Sequence, residues 1–127
     1  MAVILLVEPD AVLARTYRSA LESCGHVVRV AVSAQAAVAA ADEQRPDIVV
    51  LELQLPRHNG IEFLYEFRSY VDWQPIPVVA HTMVPPGDIA IAQPALREAL
   101  GVGVYLYKPQ TTLRELTQKI AEALEAS

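Results

Sequence analysis

Four polar or charged residues stand at the ends of short apolar segments that are far apart in the sequence. These residues are Glu8, Glu52, Thr82 and Lys108. Together they supply two carboxylates, a hydroxyl and an ammonium group, which are donors and acceptors of strong hydrogen bonds to a charged ligand. Whether they form one site depends on the elements that carry them.

Apolar segments alternate with segments of helical period along the whole chain. The apolar segments have the length of strands buried on both faces, and the intervening segments repeat their apolar residues every three to four positions. Five such units with short connections predict an α/β domain with a parallel sheet and helices on both faces. The predicted strands are residues 2–7, 26–33, 47–53, 76–81 and 103–107, and the predicted helices are residues 9–25, 34–44, 61–71 and 111–126, with Ser33 capping the second and a short helix from Pro94.

The strand ends bring the four polar residues into one region. In an open parallel sheet, ligands bind outside the carboxyl ends of the strands, where the strand order reverses. A single polar residue at a strand end is usually just solvated. Glu8, Glu52, Thr82 and Lys108 all fall at the same edge, which is a stronger indication of a shared pocket.

The segment between the fourth and fifth strands departs from this regular pattern. Pro85, Pro86, Gly87 and Pro94 interrupt any uniform helix there. Because proline fits the first turn of a helix and disrupts its interior, we expect a long loop and then a short helix with Pro94 at its first position.

Composition limits the classes of function. The 127 residues are 53% hydrophobic, with a mean hydropathy of +0.26 and a net charge of −5. The length predicts one domain over residues 1–127, without an output domain, and the N-terminal stretch "MAVILLVEPD" lacks the pattern of a signal peptide, so we expect a cytoplasmic protein. No apolar run is long enough for a membrane span, and the acidic charge argues against nucleic acid, so we expect a protein partner. The single cysteine, Cys24, is predicted to be a small packed residue.

Four stretches of this sequence resemble the receiver domains of bacterial two-component response regulators. They are "ILLVEPD", "PDIVVLELQLPRHNGIEFL", "IPVVAHT" and "GVGVYLYKP". The resemblance covers essentially the whole chain and implies the flavodoxin-like (βα)5 fold of CheY-like proteins. It also implies a phosphate-accepting aspartate after the third strand, an acidic pair after the first strand that holds Mg²⁺, a Thr or Ser after the fourth strand, and a lysine followed by proline after the fifth.

Part of this pattern is present. Under the resemblance, Thr82 matches the switch hydroxyl, Lys108 the lysine, Pro109 the proline after it, and Tyr105 the aromatic switch. In the family, the metal and the lysine neutralise the transferring phosphoryl group. The hydroxyl then follows the new charge and moves the aromatic residue.

The acidic positions are altered. Glu8 matches the first member of the acidic pair, but the second position is Pro9, whose side chain has no ligand atom. Asp10 is one residue further along and can instead bind the amides at the start of a helix. Glu52 stands at the phosphoacceptor position, and its side chain is one methylene longer than that of aspartate, so its carboxylate should reach Lys108 and Thr82.

We interpret the chain as an atypical receiver, or pseudo-receiver, that is not an enzyme and binds Mg²⁺ weakly or not at all. A buried ion pair between Glu52 and Lys108 is expected. The expected partners are a sensor kinase or another signalling protein, with homodimerisation possible through the fourth helix, fifth strand and fifth helix. The alternative is a small-molecule or nucleotide sensor that uses the same pocket, although no glycine-rich phosphate loop is present. His58 and His81 are more typical of loop or strand-end residues than of a catalytic base.

Overall fold

The computed structural model describes residues 1–127 and contains a single parallel sheet of five strands. The strand order is β2-β1-β3-β4-β5. The strands are β1 (Val3–Val7), β2 (Val27–Ala31), β3 (Ile48–Leu51), β4 (Val78–Thr82) and β5 (Val102–Tyr107), and the helices are α1 (Ala11–Ser23), α2 (Ala34–Glu43), α3 (Gly60–Ser69), α4 (Gln93–Glu98) and α5 (Leu113–Ala126). This order confirms the predicted flavodoxin-like α/β fold and places the reversal of strand order between β1 and β3.

Helices cover both faces of the sheet. On one face, residues of α2, α3 and α4 form a cluster that includes Phe63, Phe67 and Leu96. On the other face, residues of α1 and α5 form a second cluster that includes Leu21, Leu116 and Ile120. The three central strands are buried between these layers, which explains why their sequences are continuous apolar runs and not alternating ones.

Side-chain caps fix where several helices begin. The predicted cap at Ser33 is confirmed, since its hydroxyl accepts a hydrogen bond from the Ala36 amide. Asn59 and Glu62 form a reciprocal capping box at the start of α3. Such caps satisfy amides that have no partner inside the helix. The capping box therefore fixes the end of the loop that runs from Glu52 to the start of α3.

Three details of the sequence interpretation were wrong. Pro9 precedes the N-cap of α1, because the carboxylate of Asp10 accepts hydrogen bonds from the amides of Val12 and Leu13. Cys24 is exposed, because the helix ends beside it at the surface. The helical pattern of residues 61–71 predicts a face made of Ile61, Leu64, Tyr65 and Phe67, but Tyr65 is exposed and Phe63 is buried instead.

The irregular segment after β4 contains two short helical pieces. A 3₁₀ helix spans Pro86–Ile89, and α4 is only six residues long. Pro94 is the second residue of α4, one position later than predicted, and it still lies within the first turn where the missing amide costs no helical hydrogen bond. No helix of the chain has both the length and the apolar character needed to cross a membrane.

Candidate functional site

Glu8, Glu52 and Lys108 meet at the carboxyl edge of the sheet. Glu8 follows β1 and Glu52 follows β3, which are adjacent strands, and Lys108 follows β5. Lys108 Nζ lies 2.5 Å from Glu8 Oε1 and 2.7 Å from Glu52 Oε1, and all three side chains are at least 95% buried. The predicted ion pair between Glu52 and Lys108 is present, and Lys108 bridges both acids.

Every carboxylate oxygen of this triad accepts at least one hydrogen bond. Glu8 Oε2 accepts from the Asp10 amide at 3.1 Å. Glu52 Oε1 also accepts from the Met83 amide at 3.0 Å, and Glu52 Oε2 accepts from the Gln54 amide at 3.0 Å and from the Thr82 hydroxyl. Buried charges are tolerated when they are both paired and hydrogen-bonded, and this network meets both conditions.

The network favours the charged forms of Glu52 and Lys108. Burial alone would raise the pKa of Glu52, but hydrogen bonds from the Gln54 amide, Lys108 and Thr82 outweigh it and lower that pKa. Burial alone would lower the pKa of Lys108, but its hydrogen bonds to Glu52 and Glu8 raise it. Two carboxylates and one ammonium give the triad a formal charge of −1.

A chain of hydrogen bonds links Glu52 to Tyr105. The Thr82 hydroxyl donates to Glu52 Oε2 and accepts from the Val84 amide at 3.1 Å. The Tyr105 hydroxyl donates to the Val84 carbonyl at 2.6 Å. Burial, with the nearby charges of Glu52 and Asp88, raises the pKa of Tyr105 to about 12. The half-buried ring of Tyr105 is thus held to the same backbone residue that contacts Thr82.

His81 and Tyr17 border the triad on the α1 side of the sheet. Their rings are edge to face with centroids 4.7 Å apart, and Lys108 Nζ lies 5.9 Å from the Tyr17 centroid. Burial, with the nearby positive charge of Lys108, lowers the pKa of His81 to about 4, so its imidazole is neutral at neutral pH. The predicted fourth strand ended at His81, whereas β4 continues to Thr82, and the burial of His81 was not foreseen. The other predicted loop histidine, His58, is exposed beside Glu62.

The donor set does not suit Mg²⁺ as it stands. Mg²⁺ requires oxygen ligands in a nearly octahedral arrangement. The carboxylate oxygens of Glu8 and Glu52 already accept hydrogen bonds, Pro9 contributes no side-chain ligand, and the Asp10 carboxylate caps α1. No group of three His, Cys, Asp or Glu residues in the chain is placed to hold a metal ion.

Glu52 and its polar neighbours are buried, with Glu8, Glu52, Thr82 and Lys108 at most 9% exposed. Five surface cavities, with volumes from about 190 to 500 Å³, are lined by residues other than these four. The start of α3 packs closely on the residues after β3, because a Cβ on Gly60 would lie 2.8 Å from the Leu53 Cα and 3.0 Å from the Glu52 carbonyl oxygen, so that only glycine fits there. The four strand-end residues thus lie buried against one another.

Comparison with known proteins gives consistent matches to one family. The model of the response regulator receiver domain matches residues 4–121. The chain is 34% identical to the alginate biosynthesis transcriptional regulatory protein AlgB of Pseudomonas aeruginosa, over 96% of this chain and 28% of that protein. It is 35% identical to the KDP operon transcriptional regulatory protein KdpE of Escherichia coli, over 62% of this chain and 34% of that protein. The chain thus spans about one third of the length of these relatives.

A solved structure supports the fold independently. The chemotaxis protein CheY4 of Vibrio cholerae superposes with a TM-score of 0.83 over 97% of this chain and 98% of that chain, at 22% sequence identity. At this level of identity the likeness concerns the backbone architecture, so the roles of individual side chains rest on the geometry described above.

Proposed function

Because this chain belongs to the response regulator receiver domain family, we propose that it is a pseudo-receiver of two-component signalling that acts through protein contacts without being phosphorylated. Receiver domains of this family operate in two-component systems. In this proposal the site stays in one state, because the Glu52 carboxylate stands in place of the acceptor aspartate and of part of the phosphoryl group. A signalling role without catalysis and a cytoplasmic location belong to the same proposal.

One observation carries the proposal: the Glu52 carboxylate accepts hydrogen bonds from Lys108, Thr82 and the Met83 amide at once. These are an ammonium, a hydroxyl and a backbone amide, which are also the groups that hold a phosphoryl group in proteins. Glutamate supplies one negative charge and two oxygens, whereas a phosphoryl group supplies close to two charges and three oxygens. Glu52 is therefore a partial and permanent substitute.

The position of the Tyr105 ring is linked to the Glu52 carboxylate. Thr82 is drawn to Glu52 and shares Val84 with Tyr105, so the position of the aromatic ring depends on the carboxylate through two backbone hydrogen bonds. We propose that this arrangement fixes the surface formed by α4, β5 and α5 in an active-like state. That surface would contact a sensor kinase, another signalling protein or a second copy of the chain.

The wild-type protein is expected to gain no phosphoryl group from acetyl phosphate with Mg²⁺. The acceptor carboxylate is held by Lys108 and Thr82, and Pro9 removes a metal ligand that would offset charge in the transition state. Intact-protein mass spectrometry after incubation measures the outcome. A stable gain of one phosphoryl mass that maps to Glu52 would contradict the proposal.

Thr82→Val is expected to release Tyr105 while leaving the fold intact. Valine has nearly the shape of threonine but lacks the hydroxyl that joins Glu52 to Val84. The ring resonances of Tyr105, assigned with a Tyr105→Phe variant, should shift and report greater exposure to solvent. Thr117→Val is the matched control, because that hydroxyl bonds only within α5. Unchanged Tyr105 resonances in the folded Thr82→Val protein would disprove the coupling.

A further inference from the structure

We infer that Lys108 is a built-in counter-cation, which holds the carboxylates of Glu8 and Glu52 together where a divalent metal ion would otherwise be required. The inference rests on the proposed function, since it concerns the same site in a protein that is not phosphorylated. According to this inference, the Lys108 side chain keeps divalent cations out of the site, and a variant without it should bind them.

The geometry of the ammonium group carries the first step. Its nitrogen is within hydrogen-bond distance of one oxygen from each acid, and those acids follow adjacent strands at the reversal of strand order. Two carboxylates in a dry site repel each other unless a cation lies between them. Lys108 reaches this point from β5, two strands away from β3. No other cationic side chain contacts Glu8 or Glu52.

The second step is that Lys108 and a divalent cation compete for the same oxygens. A metal ion between Glu8 Oε1 and Glu52 Oε1 would lie next to the buried ammonium and would be repelled by it. The opposite carboxylate oxygens already accept from the Asp10 and Gln54 amides. The triad also has a formal charge of only −1, which leaves little attraction for a doubly charged ion.

Removing the ammonium reverses these conditions. In a Lys108→Ala variant the two carboxylates have a formal charge of −2, and the space of the lysine side chain becomes available to an ion and its water molecules. Carboxylate oxygens with water are the ligands that Mg²⁺ and Mn²⁺ prefer. The closed site should thus become a divalent-cation site by the loss of one side chain.

Thermal unfolding with increasing Mg²⁺ or Mn²⁺ tests this inference on four proteins. We expect no saturable response from the wild type or from Lys119→Ala, which removes a partly exposed lysine that lies outside the triad and is bonded only to Glu122. Lys108→Ala should show a saturable rise in Tm of roughly 4 °C or more. Lys108→Ala with Glu8→Gln should lose most of that rise, because one of the two carboxylates is gone. A folded Lys108→Ala protein without a response would overturn the inference.

A second measurement uses only the wild type and does not depend on how well the variant folds. If Lys108 excludes the ion, Mn²⁺ should cause no selective paramagnetic broadening of the amide signals of Asp10, Gln54 and Met83. Selective broadening of these three signals would overturn the inference even if the protein still failed to accept phosphate. A phosphoryl gain from acetyl phosphate would instead contradict the proposed function, so the two failures can be told apart.

Discussion

Lys108→Ala is expected to destabilise the protein by about 3–5 kcal/mol at neutral pH, the range for removing one partner of a buried ion pair. The Lys108 side chain is only 5% exposed, and both of its acidic partners are 3% exposed. Without the ammonium, two like charges are left in a site from which water is largely excluded. Urea unfolding of the variant and the wild type measures the difference in the free energy of unfolding.

A double-mutant cycle separates the pair from the packing of the lysine side chain. Adding Glu52→Gln to Lys108→Ala removes one of the two uncompensated charges, so the double variant should recover part of the lost stability. Lys119→Ala is the surface control, with an expected loss below about 0.5 kcal/mol, because its contact with Glu122 is exposed and 3.6 Å long. Simple additivity of the Lys108 and Glu52 substitutions would mean that the pair contributes nothing.

The same cycle has a defined dependence on pH. The folded pKa of Glu52 is lowered from 4.5, so its contribution to wild-type stability is complete above that value and is lost as the pH falls through the folded pKa. In Lys108→Ala, the ammonium that helps to lower the pKa of Glu52 is gone and the repulsion from the Glu8 carboxylate remains, so Glu52 should take up a proton more readily and the variant should gain relative stability on acidification. The stability gap between the two proteins should therefore be widest near pH 7 and narrow towards pH 4.

The sequence predicted the fold and the main members of the site for a simple physical reason. Parallel strands buried on both faces appear as apolar runs, and polar residues at their ends must lie at the same edge of the sheet. Glu8, Glu52, Thr82 and Lys108 were identified on that basis, and the structure brings all four together.

Other features depend on contacts that local patterns do not encode. The bond between Lys108 and Glu8 joins residues 100 positions apart, and only the packed sheet determines which acids the lysine reaches. A histidine near the end of a strand is expected to be solvated, yet His81 is buried and packs against the ring of Tyr17 on α1. Arg68 lies in an amphipathic helix, but its guanidinium donates to carbonyls of Trp73 and Leu100 that no periodicity points to.

Pro9→Asp combined with Glu52→Asp is expected to restore Mg²⁺ binding and a response to beryllium fluoride. Shortening residue 52 by one methylene withdraws its carboxylate from Thr82 and Lys108, which reopens the space that Glu52 fills. Pro9 lies before the N-cap of α1, and its replacement leaves the cap at Asp10 in place. The new carboxylate then joins Glu8, the shortened residue 52 and the Gln54 carbonyl as oxygen ligands, with water completing the shell.

Charge explains why both substitutions are needed. The wild-type triad has a formal charge of −1, whereas three carboxylates beside Lys108 have a formal charge of −2, which one divalent ion balances. We expect saturable shifts of the Gln54 and Met83 amides with Mg²⁺ in the double variant, and a further shift of Tyr105 when beryllium fluoride mimics the phosphoryl group. Glu52→Asp alone is the matched control and should respond weakly, because Pro9 still removes one ligand. If the folded double variant gave no saturable response, the irregular segment between Thr82 and α4 would have remodelled the pocket, and restoring the acids alone could not recover the chemistry.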